Sequence, residues 1–310
     1  METRRIGSLT VSVVGVGCNN FGMRIDEKRS QEVIDAALDV GINFFDTADM
    51  YANGKSEELL GRFLGARRRD VIVATKFGNE MQGQGRGARP EYVRQALDAS
   101  LKRLGTDYVD LYQQHVPDPE VPIAETLEAL DELVKAGKVR EIGCSNFSAA
   151  QIREARKASD ARPGSASFVS VQNEYSLLHR EPEEEVLAEC EYEGLAFLPF
   201  FPLKSGLLTG KYRKGRPVPQ DTRVAKYERY NKLLTEENQD KVEALIDFAE
   251  SRRRTLLELA FSWLLAHRMV ASVIAGATSA QQVRNNAAAA YWKLTPEDLE
   301  EIDSLLRAAV

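Results

Sequence analysis

The stretch NFFDTADMYANGKSEELLG, residues 43–61, decides how the chain is read. An apolar run, Asn43-Phe44-Phe45, halts at Asp46, and a short polar loop then carries Tyr51. Ser56, followed by Glu57 and Glu58, has the composition of a helix N-terminus, with Ser56 the expected N-cap. Leu59, Leu60, Phe63 and Leu64 give that helix an apolar face. A buried strand, a loop and an amphipathic helix therefore follow one another as a single β-α unit. Its odd feature is a carboxylate at the strand end and a phenol on the loop.

The unit recurs. β-rich apolar runs stand at 13–18, 43–48, 71–76, 107–115, 141–146, 168–174, 196–202 and 272–277, and helical patterns lie between them. In PEYVRQALDASLKRLG, Val93, Leu97, Leu101 and Leu104 share a face, with Pro90 at the start and Gly105 at the stop. In VPIAETLEALDELVKAGK, Ile123, Leu127, Leu130 and Val134 do the same, and Gly137 ends the pattern. Near-continuous apolar strands are what a parallel sheet covered on both faces requires. Strand starts spaced 30, 28, 36, 34, 27, 28 and 76 residues apart predict eight β-α units closed into one (β/α)8 TIM barrel, an α/β fold spanning 1–310 as one domain. The opening RRIGSLTVS predicts a short hairpin against the barrel floor. The glycine-rich 78–90 and the polar 204–240 segment are extended loops expected over the barrel mouth.

Bulk properties narrow the function. With 310 residues, 43% of them hydrophobic, the chain can bury a large core without a staple. A net charge of −6 with both signs interspersed argues against nucleic acid or an anionic membrane as partner. No apolar run approaches a membrane span. Three widely spaced cysteines without a CxxC point to a reduced, cytoplasmic setting. His179 and His267 have no partner at metal-ligand spacing, so no metal is expected. The Gly15-x-Gly17 pair lacks the rest of a dinucleotide fingerprint.

Chemistry in such a barrel sits where the strands end. Asp46 ends the second run, Lys76 the third and His115 the fourth, with Tyr51 just after the second. A phenol with a pKa of about 10 is a poor acid at neutral pH. An ammonium beside it favours the phenolate, and a carboxylate fixes the ammonium. A neutral imidazole can orient a carbonyl oxygen. The four together read as a proton relay to a developing alkoxide, with Tyr51 as general acid. No side chain supplies hydride, so reduction requires a cofactor.

In order and spacing, GVGCNNFG, FFDTADMYANGKSEELLG, VATKFG, DLYQQH, GCSNF, VQNEYS, PLKSGLLTGKY and VIAGATSAQQVRNN resemble the aldo-keto reductase family, over about residues 5–290. The resemblance implies a barrel that binds NADP(H) and reduces aldehydes or ketones, with a catalytic tetrad of Asp46, Tyr51, Lys76 and His115. It implies that Ser145, Asn146 and Gln172 hold the nicotinamide amide and that Phe200 stacks on its ring. Backbone contacts are implied along Phe201, Pro202, Leu203 and Gly206, although relatives often carry serine at the position of Phe201 and a small residue at that of Lys204. Gly276 and Thr278, opening a helix, with Gln282, Asn285 and Asn286, match the phosphate and adenosine end; many relatives carry glutamate where Asn285 stands. Lys211 and Arg223 match basic positions on the cofactor loops of related reductases.

Two other functions fit the same residues. Some relatives, such as potassium-channel β subunits, use the barrel as a cofactor-sensing binding module, and the reaction can also run as alcohol oxidation. The short ends of the chain favour an enzyme with an open, permissive mouth over a docking subunit. Substrate and oligomeric state are not legible.

Overall fold

The computed structural model describes residues 1–83 and 85–308; Gln84, in the glycine-rich loop, and residues 309–310 lie outside the described residues. Two short strands come first, β1 (Thr3–Ile6) and β2 (Leu9–Ser12), paired antiparallel as the expected hairpin. Eight parallel strands follow: β3 (Val14–Gly17), β4 (Phe44–Asp46), β5 (Ile72–Phe77), β6 (Val109–Gln114), β7 (Val139–Ser145), β8 (Phe168–Gln172), β9 (Ala196–Phe197) and β10 (Val273–Gly276). Their order runs β10-β3-β4-β5-β6-β7-β8-β9. The Phe197 N–H donates to Met269 O, and the Ala271 N–H to Phe197 O. These bonds join β9 to the chain entering β10 and close the (β/α)8 barrel.

The helices are α1 (Glu27–Asp39), α2 (Lys55–Leu64), α3 (Pro90–Leu104), α4 (Ile123–Lys135), α5 (Ala149–Asp160), α6 (Val186–Glu193), α7 (Arg223–Lys226), α8 (Glu228–Asn231), α9 (Glu236–Ser251), α10 (Leu256–Ala266), α11 (Ala280–Ala288) and α12 (Pro296–Ala308). α3 starts on Pro90 and stops at left-handed Gly105, as its sequence predicts. The main core lies between strands and helices. A second apolar cluster fills the bottom of the barrel, where Ile6, Leu9 and Val11 of the hairpin pack with Phe44, Ala74, Leu111 and Leu198.

Three expectations need correction. α2 is not capped by Ser56: it begins at Lys55 after left-handed Gly54. The Ser56 hydroxyl donates instead to Cys18 O at 2.9 Å and lies 2.9 Å from the Thr47 hydroxyl, tying the helix to two strand ends. None of the described residues of the glycine-rich loop lines the cleft at the strand ends. It folds back on itself through Met81 and Gly85, and its Ala88 N–H donates to Asp118 Oδ2 at 2.8 Å. Thr126 of α4 donates to Ala88 O. These bonds tie it to the loop after β6 and to the first turns of α4. The 204–240 segment is not one open loop either, since α7, α8 and the start of α9 lie within it.

Candidate active site

Parallel register sets the level of each candidate. Gly17 stands opposite Asp46, Lys76 opposite Gln113, Ser145 opposite Gln172, and Gly276 opposite Gly17. All belong to the C-terminal ends of the strands, where a cleft of about 1000 Å³ opens.

At its base the Lys76 Nζ donates to Asp46 Oδ2 at 2.7 Å and to Thr47 O at 2.8 Å. Lys76 is fully buried and Asp46 is 4% exposed, so each charge depends on the other. The Gln172 amide donates to Asp46 Oδ1 at 3.0 Å, and Gln113 adds a longer contact of 3.4 Å. The Lys76 ammonium is 5.2 Å from the centre of the Tyr51 ring. The Tyr51 and His115 rings meet edge to face with centroids 5.9 Å apart. The structure thus gathers Asp46, Tyr51, Lys76 and His115 at one spot.

The electrostatics differ from the expected balance at the phenol. Burial pushes Tyr51 above its ordinary pKa, and the nearby Lys76 only partly offsets this. The phenol is therefore a firmly protonated group, not one softened toward neutrality. Burial and then the Lys76 charge push His115 down to about 3, which keeps its ring neutral. Its Nδ1 is enclosed without a partner among the described residues. The nitrogen able to present an N–H to the cleft is therefore Nε2.

Ser145 donates to Gln172 O at 2.7 Å, and Asn146, left-handed at φ 61°, donates to His115 O at 2.9 Å. Gln172 has one end of its amide committed to Asp46, which leaves its carbonyl end for a ligand. Phe200 and Phe201 meet edge to face at 5.2 Å, with Phe201 exposed. Pro202, Leu203 and Gly206 line the same wall. Lys204 turns aside to Glu174 at 2.6 Å.

The far end of the cleft is cationic. Lys211 and Arg223 line it, and Arg24 faces them from the loop after β3. Among the described residues none of the three is paired with a carboxylate. One amide oxygen, Asn20 Oδ1, accepts from both Arg24 and Arg223 at 3.2 Å. Burial, and after it Arg24, lowers the pKa of Arg223; burial, and after it Arg223, lowers that of Lys211. Unneutralised, mutually repelling cations in a cleft fit a bound anion. Gly276 lies at the β10 end, where a Cβ would come 3.1 Å from Asn20 Nδ2 and 3.2 Å from Asn19 Oδ1, so the wall there is at its closest without a side chain.

The expected helix start at Gly276 and Thr278 is displaced. Gly276 ends β10, and α11 begins after Ser279, whose side chain accepts from the Gln282 N–H. The Thr278 N–H is already taken by Gln282 Oε1 at 2.8 Å, so it is not free for a phosphate. Gln282, Asn285 and Asn286 still line the cleft, with Asn285 accepting from Gln281 at 2.8 Å. Sequence reasoning missed the loop after β3. Asn19, Met23, Arg24 and Ile25 of that loop line the cleft together with Arg29 of α1, and Arg24 reaches across to the Tyr230 hydroxyl at 2.8 Å. The usable signal was RVAKYERY at 223–230, whose interleaved cations and phenols call for a partner on the opposite rim.

A family model described as Aldo/keto reductase family matches residues 13–307. Among curated relatives the chain is similar to a probable voltage-gated potassium channel subunit beta of Oryza sativa subsp. japonica, 36% identical over 99% of this chain and 97% of that one. It is similar to aldo-keto reductase yakc, NADP(+), of Schizosaccharomyces pombe, 35% identical over 97% and 90%. It is also similar to aldo-keto reductase YhdN of Bacillus subtilis, 35% identical over 100% and 92%.

Proposed function

The chain belongs to the aldo/keto reductase family, and from that premise we propose that it reduces aldehydes or ketones to alcohols with NADPH, using Tyr51 as the proton donor. The observation that carries this reading is the meeting of a buried Lys76–Asp46 pair, a phenol and a neutral imidazole at the base of a cleft also lined by cations that no carboxylate pairs among the described residues. Those cations, the bare peptide at Gly276 and the volume of the cleft fit a phosphorylated dinucleotide. NADPH, when bound, supplies the hydride.

The chain's own groups manage the proton and the geometry. Lys211, Arg223 and Arg24 are the cations suited to the phosphates. Ser145, Asn146 and the free end of Gln172 are placed to orient the nicotinamide amide, with Phe200 against the ring. His115 Nε2–H positions the carbonyl oxygen next to the Tyr51 hydroxyl. As negative charge develops on that oxygen, the phenol gives up its proton. The phenolate left behind is stabilised by the Lys76 ammonium, which Asp46 holds in place and keeps charged. Burial strengthens that attraction because little water screens it.

Tyr51→Phe tests the reading. The ring's packing is retained and only the acid is lost, so NADPH affinity should hold while turnover on the best carbonyl falls by about 10²–10⁴. Unchanged turnover would refute the assignment. The potassium-channel β relatives supply a second reading, a cofactor-sensing binding module. NADPH binding without turnover of any carbonyl by the unaltered chain would favour it.

A further inference from the structure

Asp49 has no part in the proton transfer above, yet it lies on the segment that joins Asp46 to Tyr51 and is only 1% exposed. Its backbone N–H donates to Lys76 O at 3.1 Å. Its Oδ1 accepts from the Met50 N–H at 2.6 Å. Its Oδ2 is enclosed without a partner among the described residues. The charged and titratable groups around it are Glu57 on α2, Arg103 and Tyr92 on α3, Lys76 on β5 and Tyr112 on β6. Both cations are already engaged. Lys76 serves Asp46, and Arg103 donates to Glu57 Oε2 at 2.6 Å and to the Ser100 hydroxyl at 3.0 Å. The other oxygen of Glu57 accepts from Thr75 at 2.5 Å. A charge on Asp49 would therefore be a second buried anion sharing one guanidinium. Burial, and then Glu57, accordingly push its carboxyl up to about 7.

The turn beyond Tyr51 rests on the same guanidinium-bearing chain. Ala52, Asn53 and Gly54 follow one another at φ 50°, 52° and 88°, three left-handed residues of which two carry a Cβ. A Cβ on Gly54 would stand 2.6 Å from Arg103 Cδ, so the turn is wound directly over the Arg103 stem. The Arg103 stem therefore packs against the turn that follows Tyr51.

We propose that Asp49 is a positioning residue for Tyr51: as a neutral acid it leaves Arg103 with Glu57 and the left-handed turn wound, and as a carboxylate it draws Arg103 away and lets the turn loosen. The proton that leaves Asp49 goes to solvent, and no other bond changes. The inference rests on Tyr51 being the proton donor. It makes turnover fall as pH rises through neutrality, while NADPH affinity, set at the other end of the cleft, stays level.

The test compares the NADPH-loaded wild type with Asp49→Asn, which keeps an acceptor for Met50 and cannot ionise. Wild-type kcat should fall about tenfold to a hundredfold between about pH 6 and pH 8, the scale expected for a small misplacement of a reacting group. The variant should be level across that window. Infrared difference spectra of the wild type should show a protonated carboxyl band that fades with a midpoint near pH 7 and is missing in Asp49→Asn. Because a carboxyl with a raised folded-state pKa contributes stability that is fully present only below its unfolded pKa of about 3.9 and is lost as pH rises through about 7, the urea resistance of the variant relative to the wild type should be greater at about pH 8 than at about pH 4. Glu57→Gln removes the like charge and should move the kcat transition to lower pH, which is readable even if Asp49→Asn folds poorly. Parallel kcat profiles for wild type and Asp49→Asn, or no protonated carboxyl in the wild type at about pH 6, would overturn the inference. Absence of any carbonyl turnover would instead sink the reductase reading, with the infrared titration still reporting on Asp49.

Discussion

Replacing Lys76 with methionine removes a fully buried ammonium and leaves Asp46, 4% exposed, without its cation. Methionine fills most of the lysine's volume, so the cost comes from charge and not from a cavity. Breaking a buried pair by deleting one partner costs about 3–5 kcal/mol. Gln172 at 3.0 Å and Gln113 at 3.4 Å still donate to Asp46 Oδ1, which places this site toward the lower end, while the Thr47 carbonyl loses its donor as well. At about 2.1 cal/mol/K per residue, 310 residues carry an unfolding entropy of about 0.65 kcal/mol/K, so a loss of about 3–4 kcal/mol should lower the melting temperature by about 5–6 °C. Adding Asp46→Asn removes the stranded anion, and the double variant should recover a substantial part of that loss. Thermal melts followed by circular dichroism measure all of this. A double variant that loses the full sum of the two single losses would refute the picture of one coupled pair.

The cationic end of the cleft makes two further predictions. NADPH should bind more tightly than NADH, and Arg223→Ala or Lys211→Ala should each weaken NADPH by roughly ten- to a hundredfold with little change for NADH; equal dissociation constants in the unaltered chain would dismiss the role of those cations. His115 supplies a third. Its pKa is depressed to about 3, so an unfolded histidine gains a proton below about 6.5 that the folded one does not take. Stability should therefore decline as pH falls from about 6.5 toward 3, and His115→Asn should flatten that slope in urea melts run at several pH values.

The barrel was legible because its strands are buried on both faces and so read as unbroken apolar runs. The strand ends were legible because Asp46, Lys76 and His115 each mark an abrupt change to polar sequence. What escaped was tertiary in origin. Ser56 has the composition of a cap, but the left-handed residues after Tyr51 start the helix earlier and free its hydroxyl for Cys18 and Thr47. The 78–90 loop has the glycines of a cover, and only the ties to Asp118 and Thr126 reveal where it lies. Arg24 looks like one more surface cation until Tyr230, 206 positions later, is placed beside it. The net rise in the Tyr51 pKa was likewise out of reach, since the sequence identifies the neighbouring ammonium but not the degree of burial that outweighs it.

The hairpin under the barrel has a consequence for how the chain reaches this state. Ile6, Leu9 and Val11 are synthesised before every barrel strand, yet the cavity they fill is complete only when β10 pairs with β3. Arg4 is tied to the same late event, because its guanidinium donates to Val270 O, 266 positions away, at 2.6 Å. Closure between residues this distant in sequence is slow, since the entropy of the whole intervening loop is surrendered before any contact forms. Until then the apolar hairpin has no floor to occupy and remains a sticky, strand-competent segment on the nascent chain. Refolding from denaturant should show protection of the β1–β2 amides appearing in the last kinetic phase, together with those of β10 and not with those of the adjacent β4–β5 pair.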